Sequence, residues 1–522
     1  MTGARGLARA GLVVSGAFLV SRLLGWVRLV VIGNAFPADE LDTFFAAFRI
    51  PDLMFQLVAA GALSSALLPI VASLLERGDE AHAWRLVSTI VNLMLAALGT
   101  LAVALFVLAP LVMRAITPGF EGEQLERTVL LTRIMLLSPI FLAMGSVATS
   151  VLNAGGRFAA SAVAPIVYNL AIIGGALFLA PSFGIEGLAV GVVAGSLLHL
   201  VVQLAPLRLL GFRYEPRIDR EDPEARRALL LMVPRAFGLG AGQVTFIVVT
   251  ALASTLWVGA VTDFNIAFTL LQIPIGVIGV PLGIVLLPSL SRDAAVGREA
   301  EFASLLTRAL RLILFVMLPI AGLTAVLARH VVDLLFGGGQ IGDTDLEQIA
   351  VTLLWFLTGL AAHALIAVLA RAFYARQDTL TPVLAAVAAV VMNTTLAVVL
   401  VGPMGLAGIA LAIALAAWME ALVLLVVLRR RIEGLAVGVL ARVGVQALVG
   451  SAVASALAFG TVTVLGGLVG PDPTAAWLVV EILATSALFG LAYATVSVVL
   501  RIPELASIVG VMVDLFRRAP RS

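Results

Sequence analysis

Cysteine is absent from this 522-residue chain, which excludes disulfides, thiol nucleophiles and thiolate metal sites. Lysine is absent too. All 33 basic residues are arginine, a bias that genome composition or habitat produces without a functional cause. Charge of either sign is scarce: Asp, Glu, Lys and Arg make up 12% of the chain, against about 25% in a soluble domain. No GxxxxGK[ST] phosphate loop occurs and no polar stretch is long enough for a soluble domain, which argues against ATP-driven chemistry. Histidine numbers four, without HExxH or acid–base spacing. His199, His330 and His363 lie in or beside apolar runs with no partner carboxylate cluster, so no catalytic set and no metal set emerges. The net charge is only +2 and the arginines are scattered over short loops, so nucleic acid is not an expected partner.

What remains is apolar. Hydrophobic residues make up 61% of the chain, mean hydropathy is +1.12, and apolar runs of about twenty residues recur throughout, the pattern of an integral membrane protein. The runs are apolar on every side, which excludes the alternation of barrel strands. The expected fold is therefore all-α and polytopic, with fourteen transmembrane helices near 12–32, 46–74, 86–110, 130–150, 159–180, 186–207, 229–254, 263–290, 304–327, 349–371, 382–401, 404–428, 438–468 and 476–499. The first run is too long and too interrupted by arginine for a signal peptide and reads as a retained span. With the N-terminus in the cytoplasm, 22 arginines fall in cytoplasmic loops and three, Arg114, Arg127 and Arg329, in the opposite ones. A missed span would scramble that bias, so the count predicts both termini in the cytoplasm.

Two stretches roughly 220 residues apart are alike: AAFRIPDLMFQLVAAGALSSALLPIVASL from Ala46 and IAFTLLQIPIGVIGVPLGIVLLPSLS from Ile266. NAGGRFAAS from Asn153 and YARQDTLTP from Tyr374 repeat that offset. Chance likeness among Leu/Ala/Gly-rich segments is the plain alternative to duplication of a six-helix unit. Duplication predicts parallel repeats about a pseudo-twofold along the membrane normal. The expected organisation is a cytoplasmic N-terminus (1–11), an N-lobe of spans 1–6 (12–208), a cytoplasmic linker (209–228), a C-lobe of spans 7–12 (229–428), two additional helices (438–499) and a cytoplasmic tail (500–522). Gly61, Gly276, Gly279, Gly283, Pro51, Pro69, Pro274, Pro281 and Pro288 are candidate bends or close contacts in spans 2 and 8.

A few polar residues sit where lipid would surround them. Span 1 carries Ser21, Arg22 and Arg28. Arg28 is near enough to the span's end to snorkel, whereas Arg22 is about halfway along, where an arginine costs at least roughly 2.5 kcal/mol unless water, an anion or a partner meets it. In FFAAFRIPDLMFQ, Arg49 and Asp52 are spaced to pair along one helix. Either they form an interfacial ion pair, or Arg49 joins Arg22 and Arg28 as an anion site, since guanidinium forks bind phosphate. Span 8 offers Thr269 and Gln272, and span 7 Arg235, so the bases cluster in the first repeat. That asymmetry favours an anionic amphiphile.

SRLLGWVR at 21–28, FFAAFRIPDL at 44–53, TPGF at 117–120, PIGVIGVPLGIVLLPSLS at 274–291 and FYARQDTLTPV at 373–383 together resemble the MurJ/MviN family of lipid II flippases, within the multidrug/oligosaccharidyl-lipid/polysaccharide exporter superfamily, over residues 12–500. The resemblance implies flipping of an undecaprenyl-diphosphate-linked peptidoglycan precursor across the bacterial inner membrane. Lipid II and membrane lipids would be the partners, with cell-wall synthesis proteins as further candidates. No cofactor is implied. Ser21, Arg22 and Arg28 match the family's first-helix motif, Asp42 its acidic residue before paired phenylalanines, and Arg49 its basic residue before a Leu-Pro-Asn run. With Asp52, Gln56 and Thr269 these form the expected substrate-binding set.

The chain departs from the family pattern at Leu29, where an aspartate is common. It departs again at Phe55, Gln56 and Ala60, where arginines and a glutamate are usual, and at Phe268 and Thr269, where an Asp-Arg pair is typical. Export of another lipid-linked oligosaccharide, or a non-transporting cell-wall scaffold, are the alternatives those losses leave. Sodium coupling is not indicated, because no intramembrane carboxylate accompanies Asn393, Thr394 and Thr395, and Glu420 is isolated.

Overall fold

In hydrocarbon every backbone N–H and C=O must be satisfied within its own segment, and runs of Leu, Ala and Val achieve this as helices. The computed structural model describes residues 2–58, 62–467 and 474–506, with side chains described outside 2–15, 58, 62–66 and 231–241. Gly61 and the tail beyond 506 fall outside the described residues, and the side chains of Arg5, Arg9 and Arg235 outside the described side chains.

Every long element among the described residues is helical. In chain order they are α1 (Thr2–Ala35), α2 (Ala38–Val58), α3 (Ala62–Glu76), α4 (Glu80–Ile116), α5 (Gly122–Met135), α6 (Ser138–Ala154), α7 (Phe158–Gly174), α8 (Ala180–Leu209) and α9 (Pro223–Ser254). They continue as α10 (Ala260–Pro274), α11 (Val280–Ala295), α12 (Glu299–Phe336), α13 (Asp343–Leu357), α14 (Leu360–Ala375), α15 (Leu380–Arg431), α16 (Val437–Gly466) and α17 (Ala475–Val499). Among the described residues, nine continuous helical segments are long and apolar enough to cross a membrane, and ten if the bent pair α13–α14 is one span.

Glycine decides where the longest segments turn. Residues 158–209 form one helical run of 52 residues, which at 1.5 Å per residue would extend about 78 Å, more than twice the roughly 30 Å hydrocarbon core. The run breaks at Gly184, whose φ of 59° and ψ of −147° only glycine adopts at little cost. α8 then packs back on α7 through Gly191 and Gly195, which lie against Ala171 and Tyr168. A β-carbon on Gly191 would come within 2.9 Å of the Gly175 Cα, so no side chain fits there. α15 is likewise a 52-residue run broken at Gly405, with φ 57° and ψ −135°. Left-handed residues recur about 220 positions apart, as Gly78 and Gly297, Gly156 and Gln377, Gly184 and Gly405, and Gly211 and Gly434. Five-residue π segments interrupt the ladder at Gly175–Leu179 and at Ile275–Gly279, the latter inside the Gly/Pro-rich span 8.

The contacts divide the chain into two compact units, Met1–Thr262 with Gly339–Gly342, and Asp263–Gly338 with Asp343–Ser522. The sequence places the lobe boundary at the 209–228 linker, whereas the contact division falls after Thr262, because α9 packs on α2, α3 and α4. In the first unit the linker is strapped along α4. Ser88 accepts the Glu215 N–H at 3.0 Å, Thr89 accepts that of Asp219 at 3.1 Å, and Asn92 donates to the Glu215 and Arg217 carbonyls at 2.9 Å. In the second unit, Phe264, Phe268 and Phe356 form an aromatic cluster with ring centroids 5.5–5.9 Å apart. α12, α16 and α17 close around Phe315, Phe489 and Tyr493, whose hydroxyl donates to the Phe315 carbonyl at 2.8 Å.

The FYARQD turn owes its shape to Asp378. Its carboxylate accepts the Thr381 N–H at 3.0 Å in the first turn of α15 and pairs with Arg431 at the far end of that run. Burial pushes this carboxyl up, but the Thr381 and Arg431 hydrogen bonds outweigh it and hold it at about 2. A depressed carboxylate stabilises the fold above its unfolded value, and the contribution fades as pH falls from about 4 towards 2. Asp378→Asn is expected to cost about 1 kcal/mol at neutral pH, the usual worth of a helix cap, and the gap from wild type in unfolding midpoint should close below pH 4. A gap independent of pH would contradict this account.

Candidate functional site

The charged residues flagged in the sequence lie on α1 and α2, and the first unit supplies their surroundings. On α2, Arg49, Asp52 and Gln56 follow at i, i+3 and i+7, the spacing that stacks side chains along one helix face, and all three are half-buried. Arg49 Nε donates to the Thr250 hydroxyl of α9 at 2.9 Å, and its guanidinium lies 5.1 Å from the centre of the Phe246 ring on the same helix. Asp52 is within electrostatic reach of Arg49, with the Gln56 and Gln243 side chains beside it. So Arg49 is not simply half of a local ion pair. It is oriented by α9, with Asp52 close by on its own helix.

On α1, Arg22 and Arg28 are half-buried. Arg22 stacks over Phe18 one turn back on its own helix, 5.0 Å from the ring centre. Arg28 and Asp52 both lie within electrostatic reach of Tyr168 on α7, which brings charges from α1 and α2 around one phenol. The Ser21 carbonyl accepts from Asn169 of α7 at 3.3 Å, so α7 fixes α1 at the level of the SRLLGWVR motif. Arg28, Arg49, Asp52 and Gln56 thus join a polar group with Tyr168, Gln243 and Thr250. No hydropathy signal marks those last three.

Asp42 makes none of those contacts. Asp42 is fully buried, and its carboxylate accepts the backbone N–H of Gly259 at 2.7 Å and of Thr262 at 2.8 Å. The Thr262 hydroxyl returns a bond to the Ala38 carbonyl at 2.9 Å. A carboxylate on the free N–H groups that open a helix, here α10, is a structural cap. Thr269 belongs to the second unit and donates to the Asn265 carbonyl of its own helix at 2.7 Å. Among the described residues no group of three or more His, Asp or Glu side chains is placed to hold a metal ion.

The second unit holds an apolar groove of about 770 Å³ between α12, α13, α14, the second half of α15 and α16, lined by residues such as Leu314, Leu318, Leu369 and Leu448. Its few polar groups include Thr358, whose carbonyl accepts from the Trp418 indole at 2.8 Å. Such a groove suits hydrocarbon rather than a solvated headgroup.

Comparison with known proteins agrees with an all-α membrane protein. Residues 34–487 match the family profile described as lipid II flippase MurJ. The chain is 34% identical over 436 residues to the lipid II flippase MurJ of Burkholderia cenocepacia, covering 81% of this chain and 84% of that one. It is 33% identical over 435 residues to the probable lipid II flippase MurJ of Rhizobium tropici, covering 81% of each. Among solved structures, a lipid II flippase MurJ in an inward closed conformation superposes with a TM-score of 0.77 at 21% identity, over 93% of this chain and 99% of that one. An inward-facing MATE multidrug transporter superposes with a TM-score of 0.67 at 15% identity, over 80% of this chain and 95% of that one, which shows shared fold alone. By its profile match and by relatives at this level of identity and coverage, the chain belongs to the lipid II flippase MurJ family.

Proposed function

We propose that this chain flips lipid II, the undecaprenyl-diphosphate-linked peptidoglycan precursor, from the inner to the outer leaflet of the bacterial inner membrane by alternating access. The observation that carries the reading is family membership across residues 34–487. The protein is a multi-pass transporter, not an enzyme. Arg22, Arg28 and Arg49 hold the diphosphate, with Ser21, Asp52 and Gln56 completing the polar surface. Tyr168, Gln243 and Thr250 orient them. Asp42 serves as a cap, and Thr269 takes the position that corresponds to Arg49 in the second repeat.

The fourteen-span reading is supported by the two 52-residue runs, each of which must supply two crossings. The recurrence of left-handed residues about 220 positions apart, and the identical sequence of buried and half-buried positions in 41–50 and 261–270, support two six-helix repeats. Because six is even, both repeats start on the same side, over 12–208 and 229–428. The arginine bias puts that side, and both termini, in the cytoplasm.

The test is translocation of fluorescent lipid II in proteoliposomes. Saturable transport that requires the diphosphate-sugar headgroup is the expected result. Binding without translocation would overturn the flippase reading and leave a scaffold.

A further inference from the structure

The apolar groove of the second unit adjoins a polar pocket. At the arginine-rich end of the unit its lining changes within one helical turn. Thr307, Arg308 and Arg311 of α12, with Glu433 and Gly434 in the turn before α16, border a second pocket of about 500 Å³. Leu310 lines the groove and Arg311 the pocket, and Val437 lines the groove where Ala436 lines the pocket, so the two spaces share walls.

The charges are unevenly used. Arg311 pairs with Glu504, and Glu299 with Arg376 at 2.7 Å. Arg308 and Glu433 are exposed and make no ion pair among the described residues. The buried Thr307 hydroxyl finds no partner among the described residues. One unpaired guanidinium and one unpaired carboxylate therefore flank the mouth of a hydrocarbon groove. Along α12 that groove runs from Leu310 to Ala325, about 22 Å at 1.5 Å per residue, which exceeds the roughly 15 Å half-thickness of the hydrocarbon core. An extended acyl chain fits lengthwise.

We propose that groove and pocket together bind a membrane phospholipid with a zwitterionic primary-amine headgroup, of the phosphatidylethanolamine class. The phosphate lies on Arg308 with Arg311 behind it, the ammonium donates to Glu433, and one acyl chain fills the groove between α12 and α16. Charge complementarity selects this occupant. A glycerol headgroup leaves Glu433 facing a phosphate with no cation between them, and a choline headgroup has no N–H to donate. A diphosphate adds negative charge opposite Glu433 and Glu299, which argues against lipid II in this pocket.

The full chain, delipidated in detergent and titrated with dioleoyl phosphatidylethanolamine, phosphatidylglycerol or phosphatidylcholine under native mass spectrometry, tests this directly. The ethanolamine lipid is expected to bind about tenfold more tightly than the other two, given the strength of charge-assisted hydrogen bonds. Arg308→Ala should weaken all three lipids, whereas Glu433→Gln should erase only the ethanolamine preference. A photoreactive group on the acyl chain should label α12 or α16. Equal retention of the three lipids, preference for phosphatidylglycerol, unchanged selectivity in Glu433→Gln, labelling elsewhere, or displacement by equimolar lipid II would each overturn the proposal. Both residues are exposed, so unfolding midpoints near wild type serve as the folding control. Lipid II flipping in vesicles free of ethanolamine lipid is a separate readout, and failure of one reading leaves the other standing.

Discussion

Arg49→Ala is expected to lower lipid II binding and transport by about tenfold to a hundredfold, the loss of one or two charge-assisted hydrogen bonds to phosphate. Arg49 is held by the Thr250 hydroxyl and the Phe246 face, one turn apart on α9, so its guanidinium is oriented before a ligand arrives. Preorganisation of this kind reduces the ordering cost of binding and makes the residue hard to replace. Arg49→Lys keeps the charge but loses the planar fork and the Thr250 bond, and should recover only a minor part of the activity. Thr250→Val leaves the charge and removes only the orienting hydroxyl, so it should cost less than Arg49→Ala in both binding and transport. The alanine variant gives up the charge-assisted Thr250 bond, about 1.5–3 kcal/mol, and the Phe246 contact, so its unfolding midpoint in detergent is the folding control. If the Arg22→Ala/Arg49→Ala double variant binds and flips lipid II like wild type, the anion site is not where these arginines are.

Asp42→Ala should act on stability instead. Its carboxylate is the acceptor for two buried N–H groups. Removal deletes two charge-assisted bonds and leaves two buried donors unsatisfied, a loss of about 3–5 kcal/mol. Asp42→Asn keeps one carbonyl oxygen and presents an N–H where the second acceptor stood, so it should recover about half of that. Intrinsic fluorescence of the six tryptophans during chemical unfolding reads the difference. An Asp42→Asn protein that unfolds like wild type but no longer binds lipid II would return Asp42 to the substrate site.

The two predictions separate residues that one motif presents together. Asp42 and Arg49 are seven positions apart in a polar interruption of an apolar run, and both are conspicuous there. The interruption itself is legible because an ionisable group in a membrane span is costly and needs a reason. Which reason applies is not a local property. The partners of Arg49 are Phe246 and Thr250, and those of Asp42 are Gly259 and Thr262, all roughly 200 residues further along the chain.

The sequence by itself determined the solvent this chain folds in, the extent of most helices, and the places where the chain doubles back. It did so because hydropathy, the 3.6-residue period and glycine's freedom at positive φ act over a few neighbours. The gap between the runs 159–180 and 186–207 contains Gly184, and that between 382–401 and 404–428 lies within two residues of Gly405. The α2 stripe of Arg49, Asp52 and Gln56 is a local fact of the same sort. Only the tertiary structure decided that Arg49 is aimed by α9, that Asp42 caps α10, and that Arg308 and Glu433 flank the mouth of an apolar groove. Those outcomes depend on which helix faces meet, and the physical reason is that packing joins segments whose sequences carry no mark of one another.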